Sequence, residues 1–228
     1  MSLPEGIAIR KYEPRDRATV RRLCCETGFL GKPIDPVFED RDLFADYLTS
    51  YYTDREPESS FVLEQDGVIK GYLLGSRLTL RQQWHGFFMN FSLVYRVLRR
   101  YWTYNPASRD FIGWILRNSW REVPAAPRRM AHFHINLLPE AQGLAGAREI
   151  VNRFLEYLRD SGEKAVFGQM VTFEGRRARF FERYGFKIVE KREITKYRKV
   201  HPEPVYLTTA IKKLDDAARR PMEAVARG

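Results

Sequence analysis

The sequence predicts an α/β (α+β) fold, a sheet flanked by helices, with a helical insertion between the third and fourth strands. Runs that alternate polar and apolar residues are typical of strands, and apolar residues at steps of three and four are typical of helices. The two patterns follow one another along the chain, and a length of 228 residues fits one domain. The composition changes abruptly between residues 76 and 129, which indicates the insertion. We expect one domain over residues 1–214 and a flexible tail over 215–228.

The elements before the insertion read strand, helix, helix and hairpin. Residues 7–12 alternate polar and apolar side chains, and Pro14 opens a helix. Residues 40–52 form a second helical stretch. Two β-rich runs then flank Asp66 and Gly67, a pair that strongly favours a tight hairpin turn.

After the insertion, residues 132–138 alternate until Pro139 stops the strand. A turn rich in Gly and Ala leads into a helix with one apolar stripe, formed by Ile150, Val151, Phe154, Leu155 and Leu158. The remaining pattern predicts strands at 164–171, 186–194 and 205–211, with a short helix at 176–184.

Composition excludes several classes of protein. With 44% hydrophobic and 14% aromatic residues, the chain has enough apolar surface to bury, so it is not disordered. Two adjacent thiols, Cys24 and Cys25, cannot form a disulfide framework, which favours the cytoplasm. No signal peptide and no stretch of about 20 apolar residues is recognisable, so we expect no membrane partner.

The insertion holds most of the positive charge. The net charge is +10, and residues 76–129 contribute +8 of it through ten arginines against Asp110 and Glu122. All four tryptophans lie there as well. The pattern predicts one helix, broken at Asn105 and Pro106, and a second over 108–120. The first helix has an apolar stripe with Arg96 and Arg100 on another side; the stripe consists of Phe88, Phe91, Tyr95, Leu98 and Trp102.

Three interpretations of the insertion remain open. In the first, its aromatic residues contact the main core and its arginines face solvent. In the second, it is a lid or wall over a ligand site, where Trp84 and Arg96 meet an anionic or planar substrate. In the third it binds nucleic acid, but no RNP-like, zinc-finger or helix-turn-helix signature supports that, so we expect no nucleic-acid partner.

The strand at 132–138 and the helix after it form an arrangement that can bind a phosphate group. A turn of small residues lets backbone N–H groups and the helix dipole converge on one point. The sequence lacks the Gly-Lys-Ser/Thr ending of a P-loop and the three spaced glycines of a dinucleotide site. A plain packing turn stays the alternative.

Two motifs resemble a known family. The run 134–148, HINLLPEAQGLAGAR, resembles the fourth strand and the Gln/Arg-x-x-Gly-x-Gly/Ala loop of the GNAT superfamily of CoA-dependent N-acetyltransferases. The run 178–186, ARFFERYGF, is similar to the helix that ends in Gly-Phe after the fifth strand of that family. The resemblance implies a mixed, splayed central sheet with acetyl-CoA between the fourth and fifth strands. It also implies direct acetyl transfer to an amine of a small molecule or peptide, no metal, and a monomer or homodimer.

The resemblance assigns the cofactor contacts by position. Backbone groups of Leu137 and Leu138 would pair with the pantetheine amides, and Gln142 would begin the pyrophosphate cradle. The cradle itself would be formed by backbone N–H groups of Gly143, Leu144, Ala145, Gly146 and Ala147.

The polar face of the fourth strand provides the candidate base. His134 is the first candidate to accept the amine proton, His132 is the second, and Asn136 would contact substrate. Two histidines on a strand also occur as hydrogen-bonded structural residues, and that alternative stays open. No Cys or acid beside them completes a metal site.

The chain departs from the family pattern at the position of the residue that acts as the general acid. Phe181 stands where the family often has a tyrosine that protonates the leaving thiolate, and Tyr184 is the candidate substitute. Ala145 stands where the loop usually has glycine, and Glu174 replaces an asparagine that often binds CoA. These departures favour, as the alternative function, a catalytically silent module that binds CoA or a partner.

Overall fold

The computed structural model describes residues 6–127, 129–141, 144–173 and 182–214, without the side chains at 79, 83, 87–90 and 144. Its strands are β1 (Ile7–Lys11), β2 (Ser60–Gln65), β3 (Val68–Ser76), β4 (Ala131–Leu137), β5 (Ala165–Thr172), β6 (Lys187–Glu193) and β7 (Tyr206–Lys213). Its α-helices are α1 (Arg17–Glu26), α2 (Arg41–Asp54), α3 (Thr79–Arg100), α4 (Pro106–Glu122) and α5 (Leu144–Asp160). The predicted tail 215–228 and all but the end of the predicted helix 176–184 lie outside the described residues.

The strands form one mixed sheet in the order β1-β2-β3-β4-β5-β7-β6. Among the described strands, neighbours run antiparallel except β4 and β5, which are parallel. The Asp-Gly hairpin forms as predicted, because Asp66 and Gly67 both adopt positive φ, 51° and 76°, as a type I′ turn requires. The predicted mixed sheet with a helical insertion between the third and fourth strands is therefore confirmed.

Apolar side chains cover both faces of the sheet. One face packs on α5, where Ile150, Phe154 and Leu158 meet Leu73 and Phe133. On the other face, α1 and α2 bury Leu23, Tyr52 and Tyr72 among others. Alternate residues of β4 therefore belong to different layers: its odd-numbered side chains face α5, and its even-numbered ones face α1 and α2.

A further cluster joins three distant parts of the chain. It contains Phe29 and Phe38 from the connection between α1 and α2, Phe111 from α4, and Ile194 and Tyr197 from the connection between β6 and β7. The insertion thus contributes to a core of the domain.

The orientation of α3 reverses our first interpretation of the insertion. Leu93 is buried, Arg96 donates to Asp46 at 2.6 Å, and Arg100 donates to Asp40 at 2.9 Å. The apolar stripe faces solvent instead, with exposed fractions of 64% for Phe91, 60% for Tyr95, 67% for Leu98 and 83% for Trp102. Trp84, which precedes the stripe on α3, is 63% exposed. The Phe88 side chain lies outside the described part. The expectation that the aromatic stripe contacts the core was wrong, because two carboxylates of the α2 region pair with the arginine side of the helix.

Both ends of α4 are fastened to the domain. At its start, the Asn105 side chain accepts from the Ser108 N–H at 2.8 Å, and the Asn105 N–H donates to Glu39. At its end, the buried Glu122 accepts from Trp114 Nε1 and from the Thr195 N–H, both at 2.7 Å. These contacts fix α4 between the start of α2 and the segment that follows β6.

Candidate functional site

The sheet opens between β4 and β5. The two strands pair only as far as Phe133 and Gly168, whereas β4 runs on to Leu137 and β5 to Thr172. Beyond the last pair, β4 stays bonded to β3 and β5 to β7. The two central strands therefore separate into a V whose inner edges carry backbone N–H and C=O groups.

The hydrogen-bond alternation identifies the groups that face this V. The Leu138 N–H donates to the Lys70 carbonyl at 2.9 Å, and residues of an antiparallel strand bond to their neighbour alternately. Even-numbered residues of β4 therefore bond to β3, and Ile135 and Leu137 direct their N–H and C=O groups towards the side of β5. The Leu138 carbonyl already accepts from the Ala141 N–H at 2.9 Å. Backbone pairing with a ligand is thus favoured at Ile135, and the expected role of Leu138 finds no support in this geometry.

The polar face of β4 lies under α2 and beside β3. His132 Nε2 is 2.9 Å from the Tyr52 hydroxyl, and the ring stacks on Phe167 with centroids 5.2 Å apart. The His134 ring packs edge-on against Tyr52 and Tyr72, at 5.4 and 5.5 Å. These residues form a continuous polar and aromatic surface along the strand.

Asn136 extends that surface towards the end of β4. Its side-chain amide donates to the Tyr72 hydroxyl at 2.8 Å. The structure therefore brings His132, His134 and Asn136 together on one face, and adds Tyr52 and Tyr72 to them.

Burial keeps both histidines neutral near pH 7. It lowers the pKa of His132 to about 4, although the nearby Glu56 acts in the opposite direction. It also lowers the pKa of His134 to about 4, and the neighbouring His132 adds to the effect. Among the described residues, His132 Nδ1 and His134 Nε2 are enclosed without a hydrogen-bond partner. A neutral imidazole with a vacant nitrogen can accept a proton, but at this pKa it is a weak base.

A buried carboxylate supports the same region. Glu56 is 1% exposed and accepts hydrogen bonds from the Tyr51, Ser59 and Ser76 hydroxyls at 2.7–2.8 Å. The Arg77 N–H adds a fourth at 2.6 Å. Glu56 thereby fixes the end of β3, where the insertion begins, to the segment that follows α2.

The start of α5 lies just after β4 in the chain. Its first four residues, Leu144 to Ala147, are the ones whose N–H groups lack a helical acceptor. Ala145 is helical and needs no left-handed conformation. Gly146 is buried, and a Cβ there would lie 2.6 Å from Leu63 Cδ1, so a larger residue would displace the end of the Leu63 side chain on β2. Gln142 and Gly143 lie outside the described residues.

Comparisons with known proteins agree with this geometry. No protein-family model matches the chain. The crystal structure of SsHAT aligns with 92% of this chain and 100% of its own, with a TM-score of 0.59 and 26% identity. The structure of yncA from Salmonella typhimurium with its cofactor acetyl-CoA aligns with 96% of this chain and 99% of its own, with a TM-score of 0.54 and 14% identity.

An enzyme of stated activity has the same fold. The polyamine N-acetyltransferase of Drosophila melanogaster, which forms N-acetylagmatine, aligns with 91% of this chain and 99% of its own, with a TM-score of 0.56 and 11% identity. This chain has the fold of GNAT acetyltransferases.

The remaining predicted residues have contacts in other parts of the structure. Tyr184 is half-buried against the α5 layer, burial raises its pKa, and its carbonyl accepts from Lys212 Nζ at 2.7 Å. Arg96 pairs with Asp46, and the Trp84 side chain is 63% exposed on α3. Phe181 and Glu174 lie outside the described residues.

Sequence reasoning missed the aromatic partners of the two histidines. Tyr52 comes from α2, 80 residues before His132, and Tyr72 comes from β3. The alternation of β3 could have placed Tyr72 on one face, but no local pattern pairs Tyr52 with the fourth strand.

The described part of the chain has neither a candidate membrane span nor a candidate metal cluster. No helix there is long and apolar enough to cross a membrane. No group of at least three His, Cys, Asp or Glu side chains there could hold a metal ion.

Proposed function

We propose that the chain transfers the acetyl group of acetyl-CoA to a primary amine. The observation that supports this most directly is the opening between β4 and β5, towards which Ile135 and Leu137 direct their backbone groups. An extended pantetheine chain has amides that can pair with such an edge as a strand would. The first turn of α5 follows at once and offers N–H groups to the pyrophosphate.

In the proposed reaction, the neutral amine attacks the thioester carbonyl and forms a C–N bond. Collapse of the tetrahedral intermediate breaks the C–S bond and releases the CoA thiolate. The amine proton passes to His134 Nε2, directly or through water, because this nitrogen is neutral and without a partner among the described residues. Water or Tyr184 supplies a proton to the thiolate. His132, held by Tyr52, is the second candidate for the base.

The acceptor is a primary amine of a small molecule or peptide. Acetylation of a small amine by a fold relative, the Drosophila polyamine N-acetyltransferase, supports this class. Phe111 of the insertion belongs to the cluster that joins three distant parts of the chain, together with Phe38 and Tyr197. We propose that the insertion forms one wall of the acceptor space, with Asn136 as a polar contact within it.

Calorimetric titration with acetyl-CoA and CoA tests the binding step, and thioester loss over a panel of amines tests the transfer. The panel includes polyamines, agmatine and peptides with a free N-terminal amine. The proposal requires saturable binding and amine-dependent release of CoA. If neither acetyl-CoA nor CoA bound at high concentration, the assignment of the opening as a CoA site would be abandoned.

Amide hydrogen exchange offers a test within one strand. CoA binding should slow exchange at Ile135, whose N–H faces the opening. The amides of His134 and Asn136 already bond to β3, so they should change little and act as internal controls. Equal protection along β4 would indicate general stabilisation without strand pairing.

A catalytically silent CoA-binding module is the second candidate. The low pKa of both histidines favours it, since a group with a pKa of about 4 gains little driving force for taking a proton from an amine. This alternative predicts CoA affinity without thioester loss over the whole amine panel.

A further inference from the structure

The insertion presents an aromatic stripe along the outer side of α3. Side chains at about 100° per residue repeat on one face after seven and eleven positions, which relates Trp84 to Phe91 and Tyr95 within α3. Trp102 follows in the 3₁₀ turn Tyr101–Thr103. Leu98 lies beside them, and all five are at least 60% exposed. Scattered exposed apolar residues are ordinary, but five large ones along one segment of the chain mark an interaction surface.

The opposite side of α3 is already occupied by the domain. Leu93 is buried, and Arg96 and Arg100 are bonded to Asp46 and Asp40. Turning the stripe inward would break both ion pairs and expose Leu93. The exposure of the stripe is therefore a stable property of the folded domain.

The charge beside the stripe indicates the kind of partner. Helix α3 contains no Asp or Glu, and Arg81 and Arg99 are exposed on it. The Arg99 guanidinium lies 5.6 Å from the Tyr95 ring centroid, next to the stripe. Two such surfaces facing one another would bring cations together, which disfavours a second copy of this chain and favours an anionic partner.

We propose that the α3 stripe is a docking surface for an anionic lipid bilayer. A helix with an aromatic and aliphatic face, flanked by arginines, lies in the plane of the interface, with its apolar side chains at the acyl boundary and its guanidinium groups on lipid phosphates. With 22 residues, α3 offers a contact about 33 Å long. We expected no membrane partner because no spanning segment was recognisable, and peripheral docking needs none.

Flotation of the full chain with lipid vesicles tests this proposal. We expect binding to phosphatidylcholine vesicles that contain phosphatidylglycerol, weak binding to phosphatidylcholine alone, and release as salt is raised. The double variant Leu98→Ser, Trp102→Ser should lower the partition coefficient by at least about tenfold, since both side chains lose their apolar contact with lipid. Both positions are exposed, so unfolding temperature and acetyl-CoA affinity should not change.

The matched control is Ile188→Ser, Val189→Ser, which removes exposed apolar residues from β6 and should leave vesicle binding intact. Arg99→Gln should weaken binding to the anionic vesicles only. Undiminished binding of the α3 variant would overturn the proposal. Absence of binding to anionic vesicles would overturn it as well. If light scattering then showed a dimer that the α3 variant abolishes, the stripe would be an interface between copies.

Discussion

The Tyr52 hydroxyl and His132 Nε2 lie 2.9 Å apart and join α2 to the centre of the sheet. Whichever of the two donates the proton, His132 Nδ1 remains enclosed and without a partner among the described residues. Protonating the ring would add a second N–H in a site that offers it no acceptor. The pair therefore stabilises the neutral imidazole and holds its orientation.

Stability should fall as pH falls from 6.5 to 4. The pKa of His132 and of His134 is about 4 in the folded protein and about 6.5 in an unfolded chain. In this window the unfolded state binds protons that the folded state does not, so the free energy of unfolding decreases towards acid pH. Each histidine contributes on the order of 3 kcal/mol, fully present above pH 6.5. Urea unfolding at a series of pH values measures it.

The double variant His132→Asn, His134→Asn is the control for the change of unfolding free energy with pH. Its free energy of unfolding should depend much less on pH between 6.5 and 4.5, and the remaining dependence comes from His85, whose pKa burial also lowers. Carboxylates with lowered pKa, such as Asp16 and Asp46, lose their contribution only below about pH 4. A wild-type slope of zero above pH 4.5 would contradict the burial of the two rings.

Replacing His134 separates catalysis from cofactor binding. His134→Gln keeps a polar side chain but removes the proton acceptor, so kcat should fall about 100-fold while CoA affinity stays the same. Steady-state kinetics and calorimetry measure the two quantities. Full activity in this variant would transfer the role of base to His132 or to water.

Glu56 should be among the most sensitive positions of the domain. Glu56→Ala leaves the hydroxyls of Tyr51, Ser59 and Ser76 and the Arg77 N–H without their acceptor. We expect a loss of at least about 3 kcal/mol in the free energy of unfolding. The exposed neighbour Glu58→Ala should change it by less than about 0.5 kcal/mol. Denaturant titration compares the two variants, and similar values would show that the four bonds add little.

Arg96 and Arg99 provide a test of how α3 is attached. Arg96 bonds to Asp46, which Arg21 also contacts, whereas the Arg99 side chain lies at the surface beside Tyr95. Arg96→Ala should cost about 1 kcal/mol, because a partly buried carboxylate loses one of its two cations, and Arg99→Ala should cost almost nothing. Thermal unfolding at low and high salt distinguishes them, and equal shifts would argue against the ion pair as the anchor.

Local periodicity was enough to predict most of the strands and helices. The alternation around Asp66 and Gly67, and the apolar stripe of α5, depend on neighbouring residues alone. The resemblance around Gly146 added the opening of the sheet between β4 and β5, which periodicity could not show. These parts of the fold are encoded over short distances in the chain.

The direction of α3 could not be predicted in the same way. An apolar stripe on a helix normally faces the core. Here the arginine side faces the domain because Arg100 pairs with Asp40, 60 residues earlier, and Arg96 pairs with Asp46, 50 residues earlier. The contact between Tyr52 and His132 likewise joins distant positions. No pattern within a single sequence pairs such residues, so the candidate site was predicted as positions on one strand without its surroundings.

The cluster shared by Phe38, Phe111 and Ile194 has a consequence for how this chain can change over evolution. A segment that fills a core cannot be deleted or exchanged between relatives as a separate unit, because its loss would leave holes on two neighbouring connections. The exposed side chains on the outer side of α3 lie outside this cluster, so they can be replaced one at a time while the domain keeps its shape.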